Sequence, residues 1–369
     1  MKILFINSVC GIRSTGRIVA ETAEKYLLQG CEVRIAYGRE TSPKKYQSIS
    51  YKICDEVGVR INALRARLFD NEGFNAIRQT KKFLKWANDY NPDVLWLHNL
   101  HGYYINIELL FEWIKSRPNM EVRWTLHDCW TITGHCCHFD YARCERWKTT
   151  CQKCKQKLEY PTSWFYDNSK KNFTRKKELF TNIEKMTIYT PSYWLASLVK
   201  QSFLSGYCCE VVHNQIDLDI FKPTSGDFRK NNNLENKKIV LGVSSVWNRK
   251  KGYYDFLNLA NMLDDSYVVV MVGLSTKQVK QVKKKGIVGL ERTNSVSQLA
   301  EVYTTSNVFV NLTYEDTYPT VNLEAQACGT PCITYRTGGS VESVPENNIV
   351  KQGDLAGIVK KIQEICAEV

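Results

Sequence analysis

Hydrophobic and polar positions along the chain fall into two alternating rhythms. Short apolar runs at Lys2–Ile6, Glu32–Tyr37, Asp93–His98, Val122–Leu126, Met186–Thr190 and Glu210–His213 read as strands. Between them lie stretches with helical spacing, near Arg17–Gln29 and over a mixed helical region, Val59–Tyr90. A polar stretch rich in Asn and Lys, Lys222–Lys238, precedes a second series that runs through Ile239–Val243, Tyr267–Val272 and Val308–Leu312 and ends in a helix over Leu355–Val369. Strands alternating with helices predict mostly parallel sheets covered on both faces. The expected architecture is therefore α/β, with two Rossmann-like doubly wound domains facing across a cleft.

The densest local signal is the stretch Thr313–Pro331. Pro319 suits the first position of a helix, where its missing N–H has no partner to lose, and Gly329 suits the position just past the end. Thr330-Pro331 blocks continuation. A strand feeding straight into a helix start points unpaired N–H groups and a positive dipole end at the sheet's carboxyl edge, which favours an anion. Asp316 stands at that mouth and Glu324 lies eight residues on, about 12 Å along the axis at 1.5 Å per residue. Taken singly, each acid has a plainer explanation, Asp316 as a helix cap and Glu324 as a solvated face residue.

Other strand ends carry chemistry too. Gly242–Gly252 follows the second series' first strand and ends in Arg249, Lys250 and Lys251, which is either an ordinary charged loop or a counter-charge for an anion held beside two acids. In the first series His98, His101 and His127 all fall at strand ends. The loop Gly11–Ile18, with Gly11, Gly16 and Arg17, imitates a P-loop, but Arg17 stands in place of the lysine and Ile18 in place of the hydroxyl, which excludes an NTPase of that type. A simple tight turn and a substrate-facing glycine loop both remain open there.

Length and charge narrow the partners. The 369 residues suffice for two domains with separate cores. No apolar run reaches the ~18 residues of a membrane span, and Met1-Lys2 leads directly into a strand rather than a cleavable leader, so a cytoplasmic protein is expected. A net charge of +12 favours an anionic partner. Fourteen cysteines in such a chain point to thiols or metal rather than a disulfide scaffold. They concentrate in an insertion at about 129–160, where Cys136, Cys144, Cys151 and Cys154 form a candidate structural zinc set, free or redox-active thiols being the other reading. The basic segment Arg143–Lys177, with Trp147, Tyr160, Trp164 and Phe165, suits an anionic membrane face as well as a solvated surface.

Taken together, these strings resemble the family 4 glycosyltransferases of the GT-B fold. Their Glu-x7-Glu followed by Ala-x-Ala-x-Gly-x-Pro is matched by Asp316-x7-Glu324, then Ala325, Ala327, Gly329 and Pro331, with one acid shortened and Glu315 beside it as a substitute. Thr125–Asp128 resembles the family's His-Asp motif, Asn214–Asp217 with Phe221 its hinge, and Lys251-Gly252 its diphosphate clamp, although Ser245 replaces the clamp's arginine, so that role either passes to Arg249 or Lys250 or is lost. The run from His127 to Pro161 resembles a subgroup that builds bacterial surface polysaccharide, such as capsule.

The resemblance implies an acceptor domain at 1–216 and a donor domain at 217–369, and a retaining hexosyltransferase moving sugar from a nucleotide diphosphate sugar, with a UDP-sugar favoured, to a glycan or lipid-linked glycan. It implies catalytic roles for His127 and Asp316, and donor binding by Arg249, Lys250, Lys251, Thr320, Val321, Asn322 and Glu324. It also implies that the Gly11, Gly16 and Arg17 loop lines the cleft, that catalysis needs no cofactor, and that nucleic acid is not a partner. Peripheral contact with the inner membrane face would follow from a lipid-linked acceptor. Family members usually continue into a terminal helix returning to the first domain, so a truncated or shortened form is expected. Two other readings are a nucleotide-sugar epimerase or hydrolase of the same fold, and a non-enzymatic nucleic-acid module built on the cysteine-rich segment.

Overall fold

The computed structural model describes residues 1–367. Glu368 and Val369, the expected end of the last helix, lie outside the described residues; the helix itself is described over Leu355–Ala367. The chain divides into two compact units, Met1–His213 and Asn214–Val369.

The first unit is built on a seven-stranded parallel sheet: β1 (Lys2–Asn7), β2 (Glu32–Tyr37), β3 (Ser50–Lys52), β4 (Val94–Leu97), β5 (Glu121–Thr125), β6 (Met186–Thr190) and β7 (Cys208–Val211). Their order is β3-β2-β1-β4-β5-β6-β7. Ile3–Ile6 are fully buried because helices cover both faces, which is why these strands read as unbroken apolar runs rather than alternating ones. The mixed helical region resolves into two helices, Glu56–Phe69 and Ile77–Tyr90. Asp55 caps the first by accepting from the Gly58 N–H, and Asp70 ends it in the left-handed region at φ +48°.

The second unit has a six-stranded parallel sheet: β8 (Lys238–Val243), β9 (Tyr267–Val272), β10 (Val288–Leu290), β11 (Val308–Asn311), β12 (Cys332–Tyr335) and β13 (Ile349–Val350). The order β10-β9-β8-β11-β12-β13 makes the connections run one way from β8 and the other way from β11. Loops leaving those two neighbouring strands therefore diverge and leave a crevice at the carboxyl edge, the place where open α/β sheets take ligands. In the first unit the same reversal falls between β1 and β4.

The polar stretch Lys222–Lys238 is not a free connector. Phe221, Phe228 and Leu234 insert into the second unit's core. Arg229 donates to the carbonyls of Thr305, Leu234 and Lys237 and to Asn307 Oδ1, which fastens the segment over the amino end of β11. Its abundant Asn and Lys face solvent while three apolar side chains anchor it.

Candidate active site

In the second unit, the loop after β8 and the loop after β11 meet. A short turn, Arg249–Lys251, is capped by Asn248, whose side chain accepts from the Lys251 N–H. Lys251 Nζ then reaches Asp316 Oδ2 at 2.7 Å and also donates to Glu315 O at 3.3 Å. Lys250 Nζ pairs with Glu315 Oε2 at 3.0 Å. Burial separates the two acids: the Glu315 side chain is 4% exposed and inward-facing, whereas that of Asp316 is 19% exposed. Glu315 is held as an internal counter-charge for Lys250, so Asp316 is the acid presented at the mouth. Arg249 is exposed.

Two glycines make this approach feasible. Gly252 has φ +73°, and a Cβ there would sit 2.4 Å from Leu312 O. Gly338 has φ +46°, with Asp316 O only 2.1 Å from where its Cβ would be. The Gly339 N–H donates to that same Asp316 carbonyl, so the backbone at Asp316 is pinned from one side and its carboxylate from the other.

The helix beyond this loop spans Thr320–Ala327, one residue shorter at its start than expected. Pro319 occupies the N-cap at ψ 120° and no side chain caps this end, so Asp316 is not a helix cap. Gly329, at φ +85°, follows the end as predicted. Thr320 and Val321 lie in the first turn, partly exposed, where helical N–H groups and the dipole favour negative charge. Asn322 is fully buried: its Nδ2 donates to Ser343 Oγ and Ser340 Oγ, and its Oδ1 accepts from Asn311. Its side chain braces the helix against β11. Glu324 is buried as well, at 3% exposure, with Oε2 accepting from the Tyr303 hydroxyl at 3.0 Å. The solvated-face reading of Glu324 is therefore wrong. Tyr303 carries no signal in the sequence, because its link to Glu324 spans 21 residues and forms only when the preceding helix packs.

In the first unit, β4 and β5 deliver His98 and His127 side by side. His98 Nδ1 and His127 Nε2 share a hydrogen bond of 2.9 Å with the rings stacked. Burial pushes both below the usual imidazole range, His127 to about 4 and His98 well down, so the pair is neutral at pH 7. Next to them, His101 Nε2 meets Asp128 Oδ2 at 2.7 Å, and its Nδ1 meets the Tyr160 hydroxyl at 3.0 Å. Burial opposes ionisation of Asp128, but His101 outweighs it and holds the carboxyl near 2.

The glycine loop differs from expectation. Its helix begins at Arg13 rather than near Arg17, so Gly16 and Arg17 belong to the helix Arg13–Leu28 and only Gly11, at φ +68°, lies in the turn. Gly16 is buried, and its absent Cβ avoids Val9 at 2.9 Å. Asp217 accepts from the N–H groups of Asp219 and Ile220, which makes it a turn cap.

The cysteine-rich insertion gathers Cys136, Cys144, Cys151 and Cys154 around one small cavity, together with His135. Cys136 donates to Cys154, which raises the first thiol and lowers the second to about 7. Of the aromatic residues expected on its basic surface, Trp147 is buried and Tyr160 is tied to His101, leaving Trp164 and Phe165 exposed.

Residues 225–368 match the model of the family described as glycosyl transferases group 1. The matched residues lie within the second unit. The chain is also 26% identical over 231 residues to the putative colanic acid biosynthesis glycosyl transferase WcaC of Escherichia coli (strain K12), covering 59% of this chain and 55% of that one. It is 30% identical over 126 residues to an N,N'-diacetylbacillosaminyl-diphospho-undecaprenol alpha-1,3-N-acetylgalactosaminyltransferase of Campylobacter jejuni, covering 32% and 31%. The chain thus spans about half, or less, of the length of these curated relatives. Among solved structures, the sucrose-phosphate synthase of Thermosynechococcus elongatus superposes with a TM-score of 0.69 at 16% identity, covering 100% of this chain and 90% of the other. The fold is GT-B. The Lys251–Asp316 pair and Glu324 all lie within the matched residues 225–368.

Proposed function

We propose that the chain is a retaining family 4 glycosyltransferase that moves a sugar from a nucleotide diphosphate sugar, a UDP-sugar in the first instance, to a glycan or lipid-linked glycan of a bacterial surface polysaccharide. One observation carries the reading: a lysine–carboxylate pair, Lys251–Asp316, sits at the switch point of a doubly wound sheet, next to a helix start and a second, buried acid, Glu324. An anion arriving there finds the lysine ammonium and the first-turn N–H groups of Thr320 and Val321. As the sugar–phosphate bond breaks, charge grows on the diphosphate, and groups already aimed at it stabilise it without reorganising. Lys251 exchanges Asp316 for a phosphate oxygen, which frees Asp316 to accept a hydrogen bond from a sugar hydroxyl; Glu324, midway along the helix, is the ribose acid. His127, neutral at pH 7, acts as a hydrogen-bonding partner of the sugar rather than as a charge. Retention follows a front-face path in which the leaving phosphate takes the acceptor's proton, and the cations do the work of a metal.

The similarity to a transferase named for a diphospho-undecaprenol substrate supports a lipid-linked substrate. So does a surface feature of the first unit. Along the helix Glu56–Phe69, Val57, Ile61 and Leu64 form an exposed stripe, and the exposed Trp164, Phe165 and Tyr166 continue it. Arg67 lies over the Trp164 ring at 5.9 Å, and Phe69 stacks on Tyr166. Exposed Arg60 and Arg65 lie on the same helix, each next in sequence to a residue of the stripe. An apolar stripe with cations beside it is the composition of a surface that lies on an anionic bilayer. No helix among the described residues is long and apolar enough to cross one.

The deciding experiment is a panel of UDP-, GDP- and ADP-sugars scored for binding by thermal shift, followed by product analysis with lipid-linked acceptors. A glycosylated acceptor with retained anomeric configuration supports the proposal. Altered or hydrolysed donor with no acceptor product indicates an epimerase or hydrolase instead.

A further inference from the structure

The cysteine cavity contains a buried imidazole nitrogen that the proposed transfer chemistry does not use. The His135 side chain is 1% exposed. Its Nδ1 bonds Asp70 Oδ1 at 2.5 Å, and its Nε2, on the cavity wall, has no hydrogen-bond partner. Buried imidazole nitrogens are normally satisfied, so an orphan among sulfurs calls for an explanation. Asp70 is itself built in: its Oδ2 accepts from the Asn168 N–H, and its carbonyl accepts from Asn172. A carboxylate that fixes one ring nitrogen while the other faces a thiol cluster is the arrangement that prepares histidine to bind a metal.

The sulfurs complete the picture. Cys136 and Cys154 already share a hydrogen bond. Cys151 Sγ accepts from the Gly134 N–H at 3.2 Å, a contact that orients a thiolate. Gly134 has to be glycine for this, because a Cβ would fall 2.0 Å from Ser169 O and 2.9 Å from Cys151 Cβ. We propose that the cavity is a structural zinc site, with the Cys136, Cys151 and Cys154 thiolates and His135 Nε2 as ligands and Asp70 orienting the imidazole.

The cavity offers five donors and zinc takes four. Cys144 is the one left out, since a thiol tolerates burial without a partner and an imidazole nitrogen does not. Among the described residues, the group whose potential ligand atoms all lie within 4.8 Å of one another is a different one, His101, Asp128 and Cys137. There, both His101 nitrogens are already bonded to protein, so that trio has no imidazole nitrogen left for a metal. In the cavity the cysteine side chains close by rotation onto the ion. The ion would then tie the insertion to the end of the helix Glu56–Phe69 through Asp70, and hold the Trp130–Cys136 segment that follows the His127-Asp128 pair.

The test uses the full chain purified without chelator. Elemental analysis should find about one zinc per chain. Replacement by Co²⁺ should give the visible absorption of a tetrahedral site, with a sulfur charge-transfer band of the intensity of three thiolates. Asp70→Asn should weaken zinc binding roughly 10–100-fold, His135→Ala should weaken it further, and Cys144→Ser should leave it unchanged. The wild-type metal content and cobalt spectrum decide the matter even where a variant fails to fold. Metal-free protein with all 14 thiols titratable after unfolding would overturn the proposal. So would two missing thiols, which would mean a Cys136–Cys154 disulfide, or a four-thiolate cobalt spectrum lost in Cys144→Ser and kept in His135→Ala.

Discussion

Lys251 Nζ lies 2.7 Å from Asp316 Oδ2, and the two residues come from loops that leave adjacent strands in opposite directions. Neither strand alone builds the pair. If Lys251 grips the donor diphosphate and Asp316 a sugar hydroxyl, Asp316→Ala and Lys251→Ala should each lower kcat/KM for transfer by about 10²–10³-fold, the usual loss for one electrostatic contact at the reacting centre. A partly exposed ion pair contributes only about 0–1 kcal/mol to stability, so the melting temperature should barely move. Near-normal turnover in both variants would remove the site.

Glu324 and Tyr303 separate binding from folding. Glu324→Ala leaves the buried Tyr303 hydroxyl unpaired at a cost of about 1–3 kcal/mol, which confuses the two effects. Glu324→Gln keeps an acceptor for Tyr303, and should raise the donor KM with little loss of stability. Tyr303→Phe should lose about 1 kcal/mol and leave the donor KM closer to wild type. Calorimetry alongside steady-state kinetics distinguishes these outcomes.

Gly252 and Gly286 have nearly the same backbone, φ +73° and +72°, in different surroundings. Nothing lies within 4 Å of a Cβ at Gly286, whereas one at Gly252 would meet Leu312 O at 2.4 Å. Alanine at either position meets the positive-φ penalty, about 1 kcal/mol. Only Gly252→Ala should cost clearly more and also depress transfer, because relief of the clash displaces Lys251. Equal destabilisation of the two variants, read by urea unfolding, would show that Gly252 serves conformation alone.

The histidine pair predicts an acid-sensitive first unit. Burial lowers His127 from 6.5 to about 4, and His98 shifts the same way. Between these values the unfolded chain binds protons that the folded chain does not, so stability should fall as pH drops from about 6.5 towards 4. The double variant His98→Asn/His127→Asn should show a shallower decline over that window. Parallel melting curves for the two proteins would contradict the assignment.

The exposed aromatic face predicts membrane partition. Trp164→Ala/Phe165→Ala should weaken co-sedimentation with anionic vesicles by about tenfold or more, given roughly 1.5–3 kcal/mol for each large apolar side chain buried. Binding of the wild type should weaken with salt, since the exposed Arg60 and Arg65 lie beside the stripe. Unchanged sedimentation would mark the face as ordinary surface.

What the sequence determined by itself is local and periodic. Buried parallel strands such as Ile3–Ile6 and Val308–Val310 are apolar throughout, so their existence and most of their bounds are legible without a partner. Gly329 past the helix end is legible for a similar local reason, because the end of a helix favours a residue free to adopt positive φ; Asp316 lies in the loop before the helix, so the helical rise does not set its distance from Glu324. The short strands Ser50–Lys52, Val288–Leu290, Cys332–Tyr335 and Ile349–Val350 hold too few residues to establish a period. Tertiary structure alone decided which acid faces out: Glu315 and Asp316 are neighbours of like charge, and only the positions of Lys250 and Lys251 across the sheet's switch point bury one and present the other. It decided likewise that Glu324 is buried against Tyr303, that Asn322 braces the helix, and that His135 turns an unpartnered nitrogen among cysteines. A side chain's type sets what it can do, but its partners come from segments distant in sequence, and burial and charge are properties of that meeting.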